Sequence, residues 1–282
     1  MSNGKSGTTA QNKYADIEVT LKDFVAVIEI QRPPYNFFDL SLIQQIADAL
    51  DHADNNPECR VVVLTSAGTA FCAGANFGSG QTDGDQSPEF TEDGFQNTTG
   101  KLYSEAIRLF RNKKPIIAAI HGPAIGGGFG LACVADFRIA SPKARFAANF
   151  VKLGLHQGFG ISVTLPRLIG HQNAARLLLS GRRINAEEAL PLGLVDEVAA
   201  EGELRSAAIK LAAELAENAP LAMQSVRATM RQGLADAVAN ATVHELAEQQ
   251  WLRATEDAYE GIRAVSERRP GHFIGKQITT NR

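Results

Sequence analysis

Three short apolar segments, separated by helical patterns, constrain the fold of this chain more than any other feature. They lie at residues 61–64, Ile116–Ile120 and Phe137–Ala140, and the helical patterns between them cover residues 102–110 and 127–133. Parallel strands are joined by crossovers that are usually helices, so buried strands alternating with helices are typical of a mostly parallel sheet. The sequence therefore predicts an α/β fold.

The regions on either side of this pattern differ from it. Residues 17–21 and Val25–Ile30 predict a hairpin, and Ser41 is the predicted N-cap of a helix with one apolar face. Residues 78–100 are rich in Gly, Asp, Gln, Thr and Ser, which predicts a surface loop suited to act as a lid. Beyond residue 200 we find four helical patterns and no strand pattern, at residues 204–217, 221–232, 236–254 and 257–267.

These patterns divide the chain into three parts. We expect a flexible leader at residues 1–13, a core at 14–200 and a helical region at 201–282. Helices that follow a complete core and keep apolar faces are suited to packing between subunits.

The composition excludes several classes of function. The chain has 282 residues, 44% apolar and 21% charged, and its net charge of −3 gives no reason to expect nucleic acid as a partner. Cys59, Cys72 and Cys133 form no CxxC pair or Cys/His cluster, so we expect no metal and a reducing compartment. The sequence shows no signal peptide and no run of about 18 apolar residues. We therefore expect a cytoplasmic protein with no membrane partner.

Two segments rich in small residues follow predicted strands. In residues 122–132 a strand leads into Gly126-Gly127-Gly128, which opens a helix. The N–H groups at a helix start are free, and glycine lets a ligand approach them, so such a turn can stabilise a negative oxygen. Residues 68–77, with Ala73-Gly74-Ala75, are also built of small residues. A tight packing turn is an equally good explanation of either segment alone.

Taken together, the two segments resemble those of the crotonase, or enoyl-CoA hydratase/isomerase, superfamily. The similarity extends over roughly residues 17–276. Further family-like stretches are Arg32-Pro33-Pro34 before Asn36, and residues 135–140, 153–155, 164–170, 181–186, 193–196 and 268–270.

The resemblance implies a crotonase-type spiral of ββα units, followed by a C-terminal helical trimerisation region that forms a homotrimer or a hexamer of two trimers. It implies an acyl-CoA thioester as the substrate, with no separate cofactor. The family uses two backbone N–H groups, here those of Ala75 and Gly127, as an oxyanion hole. One such donor contributes ~3–4 kcal/mol in the transition state. The residues expected to contact the substrate are Ala73, Gly74, Ala75, Gly126, Gly127, Gly130 and Phe150.

The chain departs from the family where the family keeps its catalytic acids. Hydratases carry glutamates at the positions of Gly130 and Phe150, and some isomerases and dehalogenases carry an acid at the position of Gly158. Glycine and phenylalanine cannot transfer a proton. His156 is the nearest titratable replacement and a candidate catalytic acid or base. A hydrogen bond that orders its loop is the preferred explanation of the same histidine.

Other polar and aromatic residues have simpler interpretations. Asn149 and Gln157 are neighbours of this region that could hold a water molecule. His121 and Asp136 are interpreted as structural. For the aromatic residues Phe37, Phe38 and Trp251, core packing is preferred over a place in the acyl pocket.

Three functions remain open from the sequence. The first is an acyl-CoA lyase or isomerase, nominally an enoyl-CoA hydratase, that stabilises a thioester enolate. The second is an acyl-CoA hydrolase or decarboxylase in which the oxyanion hole provides most of the catalysis. The third is a non-catalytic acyl-CoA-binding protein, which the loss of all three acids favours.

Overall fold

A computed structural model describes residues 13–76 and 96–276 of the chain. The predicted leader lies outside these ranges except for Lys13. Most of the predicted surface loop at 78–100 also lies outside them, and its last part, Gln96–Gly100, forms a π-helical turn. No helix in the described ranges has both the length and the apolar character needed to cross a membrane.

The strands form two sheets. The larger sheet has the order β1-β2-β3-β4-β6-β9, and the smaller one has the order β5-β7-β8. The strands are β1 Ile17–Lys22, β2 Val25–Ile30, β3 Val61–Ser66, β4 Ile116–Ile120, β5 Pro123–Ile125, β6 Phe137–Ala140, β7 Arg145–Ala147, β8 Ile184–Asn185 and β9 Glu197–Val198.

The larger sheet confirms the predicted hairpin and the mostly parallel pairing. β1 and β2 are antiparallel, whereas β2, β3, β4, β6 and β9 pair in parallel. In register, Val27 lies beside Val63, and Val63 beside Ile117. These β-branched residues are buried, as expected for strands covered on both faces.

Helices cover both faces of the larger sheet and make up most of the chain beyond it. They are α1 Leu40–Asn55, α2 Lys101–Arg111, α3 Gly127–Ala132, α4 Ile161–Ile169, α5 His171–Ser180, α6 Ala186–Ala189, α7 Leu204–Ala216, α8 Pro220–Met230, α9 Leu234–Leu252 and α10 Glu256–Ser266, with a 3-10 turn at Asn149–Leu153.

The start of α1 corrects one prediction. The N-cap is Asp39, not Ser41, because Asp39 has an extended backbone and its carboxylate accepts a hydrogen bond from the Leu42 N–H at 2.9 Å. Ser41 lies inside the first turn of the helix. Both residue types cap well, so the sequence alone did not distinguish them.

The core has two parts, one on each face of the larger sheet. One face carries Val62 and Ile116 and packs with α1 and α2 in the main apolar cluster. The other face packs against α7 through the alanines at positions 208, 212 and 216, whose small side chains allow a close approach. β3 and β4 are thus held rigidly from both sides, and they fix the two segments that follow them.

Candidate active site

The two small-residue segments lie side by side at the carboxyl ends of β3 and β4. The N–H of Cys72 donates to the Pro123 carbonyl at 3.1 Å, and the Ile125 N–H donates to the Cys72 carbonyl at 3.0 Å. Cys72 and Ala124 form a parallel bridge. This pairing joins the first segment to β5, a strand that the sequence analysis did not predict, and brings residues 73–75 next to the glycine turn.

Glycine is required at two positions of this junction because backbones approach each other closely. Gly74 has a φ of +80°, and a Cβ added there would lie 2.7 Å from the Ile125 carbonyl oxygen and 3.6 Å from the Gly127 nitrogen. A Cβ on Gly128 would lie 2.0 Å from the Cys72 carbonyl oxygen. The neighbouring atoms belong to the backbone, so no change of rotamer would make room for a larger residue.

The backbone N–H groups of the site divide into committed and free donors. The Ala73 N–H donates to the Tyr35 carbonyl at 3.0 Å, and the Gly126 N–H donates to the Ala147 carbonyl at 2.8 Å. Within the described ranges, the N–H groups of Ala75 and Gly127 donate to no backbone carbonyl. The two predicted donors are therefore among the N–H groups of this site that have no backbone acceptor.

The segment before α1 holds the turn at residues 73–75 in place. The Asn36 side chain is fully buried and donates to the carbonyls of Ala67 and Ala70 at 2.6 and 2.7 Å. The Phe38 N–H donates to the Gly74 carbonyl at 3.0 Å. These hydrogen bonds from the segment around Asn36 fix the position of the turn. We call them the Asn36 clamp.

Neighbouring side chains fill the positions where the family keeps its acids. A Cβ on Gly130 would lie 2.8 Å from the Cβ and Cδ1 atoms of Phe159. A Cβ on Gly158 would lie 1.9 Å from the Tyr103 hydroxyl and 2.7 Å from Nε2 of Gln249. The space that an acidic side chain would need is occupied in both cases.

Aromatic rings surround the glycine turn. The Phe38 ring lies against Gly127, where an added Cβ would be 2.2 Å from Cζ, and it packs on Phe159 with ring centroids 5.5 Å apart. The Phe150 ring and the Asn149 amide lie near Gly126, 3.8 and 3.7 Å from an added Cβ. Among described residues, the side chains nearest to these glycines include no carboxylate. Phe38 is buried in the main apolar cluster, which confirms the core packing that the sequence favoured, and its ring lies beside the glycine turn.

A buried polar network fixes the loop that carries Phe159. The Tyr103 hydroxyl donates to Oε1 of Gln249 at 3.1 Å, and Nε2 of Gln249 donates to the carbonyls of His156 and Gln157 at 3.0 and 3.1 Å. Burial raises the pKa of Tyr103 above its usual range, so the phenol stays neutral. The sequence analysis missed Tyr103 and Gln249 because they lie on α2 and α9, far from the loop along the chain.

The structure places His156 in a different environment from the glycine turn. Its Nδ1 lies 3.0 Å from the Gln157 carbonyl oxygen, and its ring contacts the edge of His244 with centroids 5.7 Å apart. The cleft that His156 lines, about 650 Å³ in volume, also includes Trp251 and Phe273 and neither small-residue segment. This arrangement supports the loop-ordering interpretation of His156.

The remaining polar predictions have clear partners. Gln157 donates through Nε2 to the Leu178 carbonyl at 3.2 Å, away from Gly126. Asp136 accepts hydrogen bonds from Arg227 and Arg231, as its structural interpretation predicts. The preferred core packing is wrong for Trp251, which is 47% exposed in the single chain and whose indole N–H donates to Glu248 at 2.8 Å.

The chemistry available at the turn is narrow. Burial raises the pKa of the Cys72 thiol to about 12, so this cysteine is not a ready nucleophile even though it adjoins the site. The described residues contain no group of three or more His, Cys, Asp or Glu side chains that could hold a metal ion. The groups left to act on a substrate are therefore backbone N–H groups, including those of Ala75 and Gly127, beside aromatic side chains.

Comparisons with known proteins show which family the chain is similar to. The family model for enoyl-CoA hydratase/isomerase matches residues 20–276. Crotonyl-CoA hydratase of Syntrophomonas wolfei is 33% identical over 267 residues, covering 93% of this chain and 99% of that protein. A putative enoyl-CoA hydratase of Thermus thermophilus is 36% identical over 266 residues, covering 89% of this chain and 98% of that protein.

The solved structures agree as well. The crystal structure of an enoyl-CoA hydratase from Mycobacterium avium subsp. paratuberculosis matches with a TM-score of 0.78 and 28% identity, covering 93% of this chain and 99% of that chain. The predicted crotonase fold, with its C-terminal helices, is confirmed. The chain belongs to the enoyl-CoA hydratase/isomerase family.

Proposed function

We propose that this protein is an acyl-CoA enzyme of the crotonase type that stabilises a thioester oxyanion with the N–H groups of Ala75 and Gly127. The observation that carries the proposal is that these two donors lie in adjacent turns and have no backbone acceptor in the described part of the chain. The substrate contacts the backbone of residues 73–75 and 126–127 and needs no separate cofactor.

The two N–H groups lower the energy of the transition state by stabilising negative charge on the thioester oxygen. A thioester carbonyl that becomes an enolate or a tetrahedral oxyanion gains negative charge on its oxygen. Donors already fixed by β3, β4 and the Asn36 clamp stabilise that charge without reorganising, and each contributes about 3–4 kcal/mol in the transition state. Gly127 also opens α3, whose first turn adds a favourable dipole.

The nominal reaction is that of an enoyl-CoA hydratase, which is a lyase, or of an isomerase. Both reactions add protons to the acyl chain or remove them from it. Proton transfer then falls to water, to the substrate or to a residue outside the described ranges, because Gly130, Phe150 and Gly158 replace the family's acids. Asn149 beside Gly126 is suited to hold such a water. A catalytic role for His156 stays a prediction that the geometry does not favour.

The filled acid positions favour a second candidate, decarboxylation or hydrolysis of a thioester. Loss of carbon dioxide from a malonyl-type thioester leaves an enolate directly, so it needs the oxyanion hole and no base to remove a proton. Phe159 against Gly130 and Tyr103 against Gly158 fill the space of two acids, which suits a reaction that needs no base.

A panel of enoyl-, hydroxyacyl- and malonyl-type thioesters distinguishes these functions by mass. Addition of water without thiol release indicates a hydratase, free coenzyme A a hydrolase, and loss of carbon dioxide a decarboxylase. Unchanged thioesters that bind measurably indicate a binding protein and contradict the enzyme proposal. Failure of every thioester to bind contradicts the proposed site itself.

We also propose that the C-terminal helices form a homotrimer, single or doubled into a hexamer. The apolar side chains of Leu221, Val226 and Met230 on α8 are 79%, 61% and 71% exposed in the single chain, and a closed cyclic assembly would bury them. Light scattering at low concentration tests this, and a particle of the 30.2 kDa chain mass would contradict it. A cytoplasmic location is part of the same proposal, consistent with the three free, buried cysteines.

A further inference from the structure

A second cleft lies at the amino end of β4, at the opposite edge of the sheet from the candidate active site. Its volume is about 380 Å³, within the range of roughly 300–1,000 Å³ that small-molecule sites occupy. The end of α2, the loop that follows it and one face of α8 enclose the cleft. Its lining residues are Phe110, Arg111, Asn112, Lys113, Gln224, Ser225, Arg227, Ala228 and Arg231.

The lining of this cleft is strongly cationic. Arg111, Lys113, Arg227 and Arg231 all contribute to it, and no acidic residue does. Arg111 and Lys113 are exposed, and neither makes an ion pair within the described ranges. The cleft therefore carries positive charge at its mouth, which Asp54, whose carboxylate accepts a hydrogen bond from the Lys113 N–H at 2.8 Å, offsets only in part.

Behind the lining, outside the cleft itself, one carboxylate pairs with two of the lining guanidinium groups. Asp136 accepts from Nε of Arg227 at 2.8 Å and from Nη1 of Arg231 at 2.9 Å, and it also accepts from the Ile116 N–H at 2.8 Å. The carboxyl end of α2 would by itself disfavour an anion. Its Asn112 carbonyl, however, accepts from Nη1 of Arg227 at 2.6 Å, which offsets that partial charge.

Arg231 has hydrogen-bonding capacity that the described chain leaves unused. Its Nε and Nη2 atoms are buried without a partner. Burial lowers the pKa of Arg231, and the neighbouring Arg227 and Arg167 lower it further, while Asp136 raises it. An arginine in this setting stays protonated, so its unsatisfied donors are a cost that an anionic acceptor would remove.

We propose that this cleft binds a small phosphate-bearing molecule, with Arg231 and Lys113 as the main contacts to the phosphate. A phosphate group offers several acceptor oxygens, and guanidinium groups bind it through paired N–H donors. Binding requires the buried Nε and Nη2 atoms of Arg231 to turn toward the cleft, while its Nη1 atom is held by Asp136 and by the Val134 carbonyl at 3.1 Å. The site is separate from the proposed oxyanion hole and does not depend on the proposed function.

The test uses pyrophosphate as the probe, titrated calorimetrically into the full-length chain at low ionic strength, where surface charges are least screened. We expect one saturable site per chain. Arg231→Met should weaken pyrophosphate binding by roughly tenfold or more, the effect of losing a charge-assisted hydrogen bond. Lys113→Ala should weaken it about two- to fivefold, as expected for an exposed charge.

Two controls make the result specific. Lys210→Ala removes an exposed lysine that does not line the cleft and should leave binding unchanged. Ala75→Pro, which damages the proposed oxyanion hole, should also leave it unchanged. If Arg231→Met fails to fold by circular dichroism, the comparison of Lys113→Ala with Lys210→Ala decides. The proposal is overturned if the unaltered chain binds no pyrophosphate, if both lysine variants weaken binding equally, or if Ala75→Pro abolishes binding.

Discussion

Two glycines of the short helix α3, Gly128 and Gly130, are required by different kinds of neighbour. At its start, Gly128 lies against the backbone of Cys72, so the glycine keeps two chain segments in contact and leaves the Gly127 N–H free. Further along, Gly130 lies against the side chain of Phe159. The first glycine keeps two backbone segments in contact, whereas the second makes room for a neighbouring side chain at a position where the resemblance places a catalytic acid.

This difference shows which part of the chemistry is easily changed. The proposed oxyanion hole is built from main-chain atoms, and strands, glycines and the Asn36 clamp hold it regardless of most side chains. Proton transfer depends on individual side chains, and here the packing around Phe159, Tyr103 and Gln249 has closed the positions where they would act. A substrate can thus keep its carbonyl contact while the reaction that follows changes.

The largest expected effect is the loss of simple hydration. We expect hydration of crotonyl-CoA to be very slow or absent, because each missing acid or base removes about 10²–10⁴-fold of rate. Thioester binding should remain, because the two N–H donors are intact. Stopped-flow absorbance of the enoyl thioester measures the rate. A turnover near the top of the ordinary enzyme range, roughly 10²–10³ s⁻¹, would show that another residue supplies the acid.

The next largest effect should come from Ala75→Pro, which removes one of the two donors. We expect turnover of whichever thioester proves to be the substrate to fall by about 10²–10³-fold. Ala75→Gly keeps the N–H and is the matched control, which should retain most activity. Equal activity in the two variants, with both chains folded, would show that this N–H is not part of the hole.

The sequence indicated the main-chain features of the site better than it indicated the side-chain packing around Gly130 and Gly158. Glycine runs after apolar strands indicate exposed N–H groups through local rules, although β5 and the bridge between Cys72 and Ala124 were not predicted. The contacts of Phe159 with Gly130 and of Tyr103 with Gly158 join residues 29 and 55 positions apart. A glycine in the sequence does not reveal whether its missing side chain leaves space or is replaced by a neighbour.

A stability measurement separates the two uses of glycine directly. Gly130→Ala should lower the free energy of unfolding by about 1–3 kcal/mol, the usual cost of overpacking. Most of this loss should disappear in a Phe159→Gly background, since both clashing atoms are then gone and Phe159 already has a φ of +60°. Gly128→Ala clashes with a carbonyl oxygen, so Phe159→Gly should not rescue it. Urea unfolding of the three single and two double variants measures these couplings, and equal rescue of both alanines would refute the distinction.

A smaller effect is expected at His156. His156→Ala should leave turnover per folded molecule unchanged and should cost about 0.5–1.5 kcal/mol of stability if the contact with the Gln157 carbonyl is a typical hydrogen bond. Ala75→Pro serves as the positive control for loss of activity. A fall in turnover of 10²-fold or more with normal stability would instead assign the proton transfer to His156.

The smallest expected effect concerns acid stability next to the oxyanion turn. His121 lies between β4 and β5, its Nε2 atom is buried and has no partner among the described residues, and burial lowers its pKa below the ordinary 6.5, although the Gly68 backbone opposes the shift. The unfolded chain therefore binds a proton at this histidine at a higher pH than the folded chain does. Stability from this residue is present above about pH 6.5 and is lost as the pH falls toward the lower folded-state pKa.

His121→Gln should make the free energy of unfolding less dependent on pH between about 7 and 5, the range that spans the ordinary histidine pKa. His171→Gln, at an exposed position on α5, is the control and should leave the pH dependence as it is in the original chain. Urea midpoints across this range measure both variants. A His121→Gln slope identical to that of the original chain would mean that the buried ring does not resist protonation. The stability of the oxyanion turn at low pH would then depend on backbone contacts alone. The region around Phe159 differs in that side-chain packing stabilises it.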